Sequence, residues 1–321
     1  MRRTLTLLLL VVLVCSPLLA CTENAATGRR SLRILTRDEE IRLGAEAAPQ
    51  FTEEFGGAVP NPDLQTYVAD IGSRLAAVTE ADNPTLPWTF TLLNSDQVNA
   101  FALPGGKVFI TRGLASRLSN EAQIAGVLGH EIGHVTAQHG NQRISNQIGF
   151  NAVLTAVAIG VGLSGDDDVQ TAGAIGIPAL AIGGNIVLLK YGRNEELEAD
   201  HLGMRYMSRI GYDPRGQLEV MQVLAKLSSG GRGPEFLSTH PHPESRVARI
   251  QELLRGEFAP TQGSKDHQLY EERFKSRFLS KLARQEPAPV DRRFALGLPA
   301  SWCATCAASS DQIPEPRPVA P

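Results

Sequence analysis

The sequence predicts a mainly helical α+β domain with one small sheet. Three observations carry this. Apolar residues recur at helical spacing through most long segments, only two short runs carry a strand pattern, and a histidine-bearing helix lies mid-chain. The chain has 321 residues, 42% hydrophobic and 20% charged, which is ordinary globular composition with length for one large domain or two small ones. Its formal net charge is -3 and aromatics make up 6%. Neither a basic field nor a stacking platform points to nucleic acid.

A leader precedes the fold. Arg2 and Arg3 stand before an almost wholly apolar run, Leu5 to Leu19. That is a secretory signal pattern, too short and wrongly flanked for a membrane span. The run ends Leu18-Leu19-Ala20-Cys21, which resembles a bacterial lipobox. The resemblance implies cleavage before Cys21, lipidation of its thiol and loss of residues 1–20. Residues 21–35 then read as a tether that holds the domain to a membrane of the bacterial envelope, facing the periplasm. Only Cys303 and Cys306 remain unassigned, so the core has no cysteine framework.

Thr36-Arg37-Asp38-Glu39 is a capping box that opens a helix to about Glu54. Asn61-Pro62 starts a second helix through about Val78, with Leu64, Tyr67, Val68, Ile71 and Leu75 as its buried stripe. Trp88 to Leu93 reads as a strand. After the turn Pro104-Gly105-Gly106, Lys107 to Thr111 reads as a second, able to pair with the first. From Ser119 the pattern is helical to about Gly140, with Ile124, Val127, Leu128 and Val135 facing the core. Gly126, Gly129 and Gly133 lower helix propensity there, so close approach by a neighbour is their expected use.

Two apolar runs, Phe150 to Leu163 and Ala172 to Leu189, flank Asp166-Asp167-Asp168. Neither gives a clean span of about 20 apolar residues, so they read as a buried helical hairpin over the active site, joined by a solvated turn, the alternative being a hairpin that touches the membrane or a partner. Arg193 to Ile210, Pro214 to Leu227 and Pro243 to Leu254 are further helices. The domain is expected over residues 36–257. Residues 258–321 read as a polar, largely disordered tail with one charged helical stretch near Tyr270 to Leu282. Trp302-Cys303-Ala304-Thr305-Cys306 imitates a redox motif but lacks the strand-helix context.

The decisive run is His130-Glu131-Ile132-Gly133-His134. Two histidines four apart share one helical face, one turn apart, so their imidazoles can meet one cation. Glu131 lies one residue round, placed to reach a bound water as a general base rather than the metal. A chance match in a chain of this length is on the order of one in a hundred. A third protein ligand is required. Downstream, Glu196 and Asp200 are four apart on a helix. One can bind the metal while the other accepts a hydrogen bond from a ligand histidine. On spacing alone, Glu195 and Glu198 compete for the ligand role. His139, His201 and His267 have no metal spacing to a partner and read as structural.

Four stretches together resemble the gluzincin zinc metallopeptidases, the group of HtpX, BepA, LoiP, the Oma-type and the CAAX prenyl-protein proteases. They are Asn99 to Gly106, Val127 to His134, Glu196 to Asp200, and Ser238-Thr239-His240-Pro241 with Arg246 following. The resemblance implies a zincin-like fold holding one Zn2+ through His130, His134 and Glu196, with Asp200 behind the ligands. It also brings His240 and Arg246 forward as catalytic residues: His240 to touch substrate or to sit against the metal and idle the enzyme, and either to stabilise the oxyanion. His242 could replace His240. Lys107, Val108, Phe109, Ile110 and Thr111 are expected as an edge strand to which an extended substrate adds. The implied function is zinc-dependent endoproteolysis of unfolded or misassembled envelope proteins. The alternative is a client-binding assembly factor that rarely cuts.

Overall fold

A computed structural model of the chain describes residues 21–81, 83–148, 190–228, 233–241 and 243–285. The leader, the apolar runs within 150–189, His242 and the Cys303/Cys306 motif lie outside the described residues.

The first helix, α1 (Arg37–Glu54), starts on the expected capping box: the Thr36 side chain accepts from Glu39 N–H and the Glu39 carboxylate accepts from Thr36 N–H. Helix α2 (Pro62–Ala76) is capped by Asn61, whose side chain accepts from Asp63 and Leu64 N–H. Its stripe Leu64, Val68, Ile71 and Leu75 is buried as the spacing requires.

A three-stranded sheet follows: β3 (Thr89–Leu93), β4 (Ala100–Leu103) and β5 (Lys107–Thr111), in the order β3-β5-β4. A two-stranded hairpin of β1 (Cys21–Glu23) and β2 (Arg30–Leu32) precedes them in the chain. The two expected strands do pair, in parallel, Thr89 opposite Lys107. The unexpected β4 pairs antiparallel on the other side of β5, Phe101 opposite Phe109. Along β5 the faces alternate: Val108 and Ile110 join the main core, Phe109 a second cluster with Phe51, Leu93, Phe101 and Leu103.

This order corrects the edge assignment. Residues Lys107, Val108, Phe109, Ile110 and Thr111 form the central strand, with both of its sides paired. The exposed-looking lysine at its start is in fact buried, its Nζ donating to Pro87 O at 2.5 Å. Among the described residues the outer strands are β3 and β4, and β4 is the one packed beside the helix that carries His130 and His134. Thr111 N–H donates to Asn99 O, so the hydrogen-bonded register falls on Asn99, Phe101 and Leu103. The backbone groups of Ala100 and Ala102 therefore point away from β5.

Helix α3 (Arg112–Ala115) leads to α4 (Glu121–Thr136), every residue of which is buried. It ends earlier than expected, because Gln138 takes a left-handed φ of 57° before helical structure resumes over 139–148. Helix α5 (Arg193–Arg209) packs directly along α4. Then come α6 (Arg215–Ser228), α7 (Glu235–Thr239) and α8 (Pro243–Arg255). The glycines of α4 serve the close approach expected of them. A Cβ at Gly129 would lie 3.2 Å from Gly203 Cα, and one at Gly133 2.8 Å from Ala199 O.

Two boundary expectations change. Residues 21–35, expected as a tether, hold the β1–β2 hairpin against the end of α4. Asn24 Nδ2 donates to Thr136 O at 2.8 Å, Ile34 N–H to Ser145 Oγ at 2.8 Å, and Asn141 Nδ2 to Leu35 O at 2.8 Å. The polar composition serves docking rather than freedom. Beyond Phe258, helical turns run from α9 (Glu271–Phe274) through a π-helical turn to α10 (Ser280–Leu282). Phe274, Phe278 and Leu282 are buried in the main core, so the folded unit extends past residue 257. Sparse apolar residues at helical spacing sufficed, because charged neighbours occupy the outer face. Among the described residues, no helix is long and apolar enough to cross a membrane.

Candidate metal centre

Helix α4 presents His130, Glu131 and His134, and α5 presents Glu196 and Asp200 across the glycine contact. The loop after α7 adds His240. His130 Nε2 and His134 Nε2 lie 3.1 Å apart. Each is 3.5 Å from an oxygen of Glu196. His240 Nδ1 lies 3.0 Å from Glu196 Oε1 and 3.3 Å from His130 Nε2. One donor atom from each of these four buried residues falls within 4.8 Å of the others.

The donor set fits a divalent ion. Three imidazoles and one carboxylate are zinc's customary ligand chemistry. Burial holds His134 well below its usual pKa, so its ring is neutral and free to donate a lone pair. Burial alone would raise the Glu196 carboxyl, but His240 and Arg246 outweigh it and keep the group well below the usual carboxylate range. Glu131 behaves oppositely. Burial raises its pKa, against the pull of His240 and His130. Among the described residues, neither of its carboxylate oxygens has a hydrogen-bond partner, although the side chain is fully buried. His240 Nε2 lies 3.6 Å from Glu131 Oε1; a buried carboxylate without a hydrogen bond beside converging donors calls for a polar occupant.

Carboxylates on α5 divide the labour. Asp200 Oδ1 accepts from His130 Nδ1 at 2.9 Å, a contact that fixes the tautomer and orientation of the ring. Burial pushes the Asp200 carboxyl up, but Arg246 and His130 bring it down to about 2. Glu195 pairs with Arg143 instead of the cluster. Glu198 is also outside the cluster, 3.0 Å from His139 Nε2 and paired with Arg29.

Arg246 departs from the donor role expected of it. Its Nε and Nη2 each donate to Asp200 at 2.7 Å, and Nη1 lies 2.7 Å from Glu196 Oε2. It is fully buried and its guanidinium is taken up by two carboxylates. Its place is to neutralise and orient them, not to offer a free donor to an oxyanion.

Two residues next to the cluster escaped the sequence reading. His139, read as structural, lies 2.9 Å Nδ1 to Nδ1 from His134. The five-residue spacing hid it, because the break at Gln138 alters the helical phase. Tyr191 stacks on His134 with ring centroids 3.7 Å apart, and the Arg143 guanidinium sits 4.2 Å from the Tyr191 centroid. Only its place five residues before Glu196 could have hinted at it. His201 pairs with Glu257 and His267 with Ser208, away from the cluster, as expected of structural histidines. A cleft beside His134 is lined by Ala102, Leu103, Pro104, Gln138, Asn141 and Tyr191. It brings the β4 edge next to the donor cluster.

Known proteins resemble this chain in sequence. A beta-barrel assembly-enhancing protease of Escherichia coli O157:H7 is 35% identical over 221 residues, 67% of this chain and 43% of its own length. A mitochondrial metalloendopeptidase OMA1 of Schizosaccharomyces pombe is 29% identical over 231 residues, 71% of this chain and 65% of its own length. The chain thus spans less than half of the first relative and under two thirds of the second. Residues 62–254 match peptidase family M48. That match takes in β3 to β5, the donor helices α4 and α5, and Arg246: the chain belongs to peptidase family M48.

Proposed function

We propose that this protein is a zinc-dependent metalloendopeptidase. His130, His134 and Glu196 hold one Zn2+, and Glu131 moves the proton. The observation that supports it is the meeting of these three donors, with His240, beside a buried Glu131 carboxylate that makes no hydrogen bond among the described residues. When bound, the metal supplies Lewis acidity towards a peptide carbonyl and towards water. The protein's own groups do the rest. Glu131, its pKa raised by burial, accepts a proton from the attacking water and returns it to the leaving nitrogen. Asp200 fixes the His130 ring through Nδ1, and Arg246 holds Asp200 and Glu196 in place. The Ala100 carbonyl and the Ala102 backbone groups on β4 receive an extended peptide as an added strand, the Ala100 N–H being taken by Asn99 Oδ1.

A second reading concerns the resting state. His240 stands at ligand distance from the same centre. Four protein donors make a closed site, whereas a catalytic one keeps a position open. His240 therefore closes the site at rest and withdraws when substrate enters.

The proposed setting is the bacterial envelope, with a lipid on Cys21 holding the domain at the outer membrane, facing the periplasm. Unfolded or misassembled envelope proteins are the proposed substrates. The leader pattern supports this, as does the relatives' naming for beta-barrel assembly. Comparing envelope protein fragments between wild type and Glu131→Gln tests it. Fragments lost in the variant are the expected result; identical profiles, with all deletion phenotypes rescued, favour the assembly-factor alternative.

A further inference from the structure

The two α4 histidines are supported differently. His130 rests directly on a carboxylate, Asp200. Among the described residues, the partner of His134 Nδ1 is not a carboxylate but a second imidazole, His139, at 2.9 Å. His139 is fully buried and turns its other nitrogen, Nε2, to Glu198 Oε2 at 3.0 Å. Glu198 is held in turn by Arg29, beside β2 of the N-terminal hairpin.

We propose that His139 is a positioning residue for the metal centre, the middle member of a His134–His139–Glu198 relay that fixes the ring and tautomer of His134. The proposal rests on His134 being a metal ligand. Hydrogen-bond roles along the chain admit one consistent order. His134 Nε2 faces Glu196 and His130, so its lone pair is the ligand and its proton sits on Nδ1. His139 Nδ1 must then accept. Its own proton lies on Nε2 and is donated to the Glu198 carboxylate. Each bond fixes the next, and a carboxylate at the far end makes the near imidazole a better donor, as a direct carboxylate does for His130.

The relay also accounts for the ion pair between Glu198 and Arg29. Glu198 is two residues from Glu196 on α5, so the same helix that places a ligand places the end of the relay. Arg29 belongs to the hairpin pinned to the α4 terminus by Asn24. The hairpin and the second histidine are thus joined by a continuous set of polar contacts.

Zinc affinity of the full chain, measured by chelator competition, tests the proposal. His139→Phe keeps the ring's bulk and removes the acceptor; it should weaken zinc binding by about 10- to 100-fold. His139→Asn places an amide oxygen where Nδ1 was and should recover most of that loss. Equal losses in the two variants, or wild-type affinity in His139→Phe, would overturn the relay, since packing alone would then explain the site. His134→Ala is the control on the underlying reading. If it keeps wild-type affinity, His134 is no ligand and both claims fall; if it loses zinc while His139→Phe does not, only the relay falls. Should His139→Phe not fold, nitrogen-15 histidine spectra of the unaltered chain decide the matter. His139 protonated on Nε2 and His134 on Nδ1 supports the relay, and the opposite tautomers sink it.

Discussion

Gly203 of α5 lies against the backbone of α4 at His130: a Cβ at position 203 would stand 2.8 Å from His130 N and 2.9 Å from Gly129 C. Both neighbours are main-chain atoms at the centre of a buried helix and cannot step aside. The distance between the two donor helices, and hence the reach from Glu196 to the α4 histidines, is set by the missing side chain. Gly203→Ala should destabilise the metal-free chain by about 1–3 kcal/mol through overpacking and loosen metal binding as the helices part. Denaturant unfolding and zinc affinity measured together check this. Unchanged values for both would mean that the helices are not held at that separation.

Glu131→Gln separates binding from chemistry. Glu131 is not among the clustered donors, so the variant should keep its metal. Loss of the proton carrier should lower turnover of an unstructured peptide by about 10²- to 10⁴-fold. Turnover near wild type would remove Glu131 from the mechanism.

His240 occupies donor distance from Glu196 and His130. If it closes the site, His240→Ala should retain the metal and raise basal cleavage of a small unstructured peptide, roughly 3-fold or more, by freeing a coordination position. A matched loss of metal would make His240 an essential ligand, and wild-type turnover would deny it any part.

Far from the centre, Tyr67 donates to Glu121 at 2.5 Å and Tyr212 donates to the same carboxylate, which Arg273 also grips. This knot ties α9 to the start of α4. Burial first, and Glu121 next, raise both phenols above their usual pKa. The unfolded chain ionises at about pH 10, before the folded one can. The stability they lend is therefore fully present below about pH 10 and is lost as pH rises beyond it. In an alkaline titration, tyrosinate from these residues should appear together with unfolding. Ionisation of all five tyrosines near pH 10 in a still-folded chain would contradict this.

Where patterns repeat at one period, the sequence was legible. The capping box at Thr36, the stripe of α2, the paired histidines and the Glu196/Asp200 spacing all describe one helix at a time, and each appears where spacing puts it. Gly126, Gly129 and Gly133 even reported a neighbour, though not which one. What failed was relation between segments. Ala100 to Leu103 is short and buried on both faces, so it shows no alternation to mark it as β4. Without β4, β5 could only look like an edge. His139 lies beyond a left-handed residue that resets the helical phase. Arg246 touches Asp200 and Glu196 across more than forty positions, and composition alone made a tether of the hairpin and a tail of Phe274 and Phe278.

Zinc binding by the full chain bears most directly on the central claim, that His130, His134 and Glu196 hold one metal ion. The purified protein should carry about one zinc per chain, and His130→Ala, His134→Ala and Glu196→Gln should each remove it, Glu196→Gln lowering occupancy more than Glu198→Gln. Occupancy under about 0.2 zinc per chain in the unaltered protein, or retention of the metal by all three variants, would contradict the account.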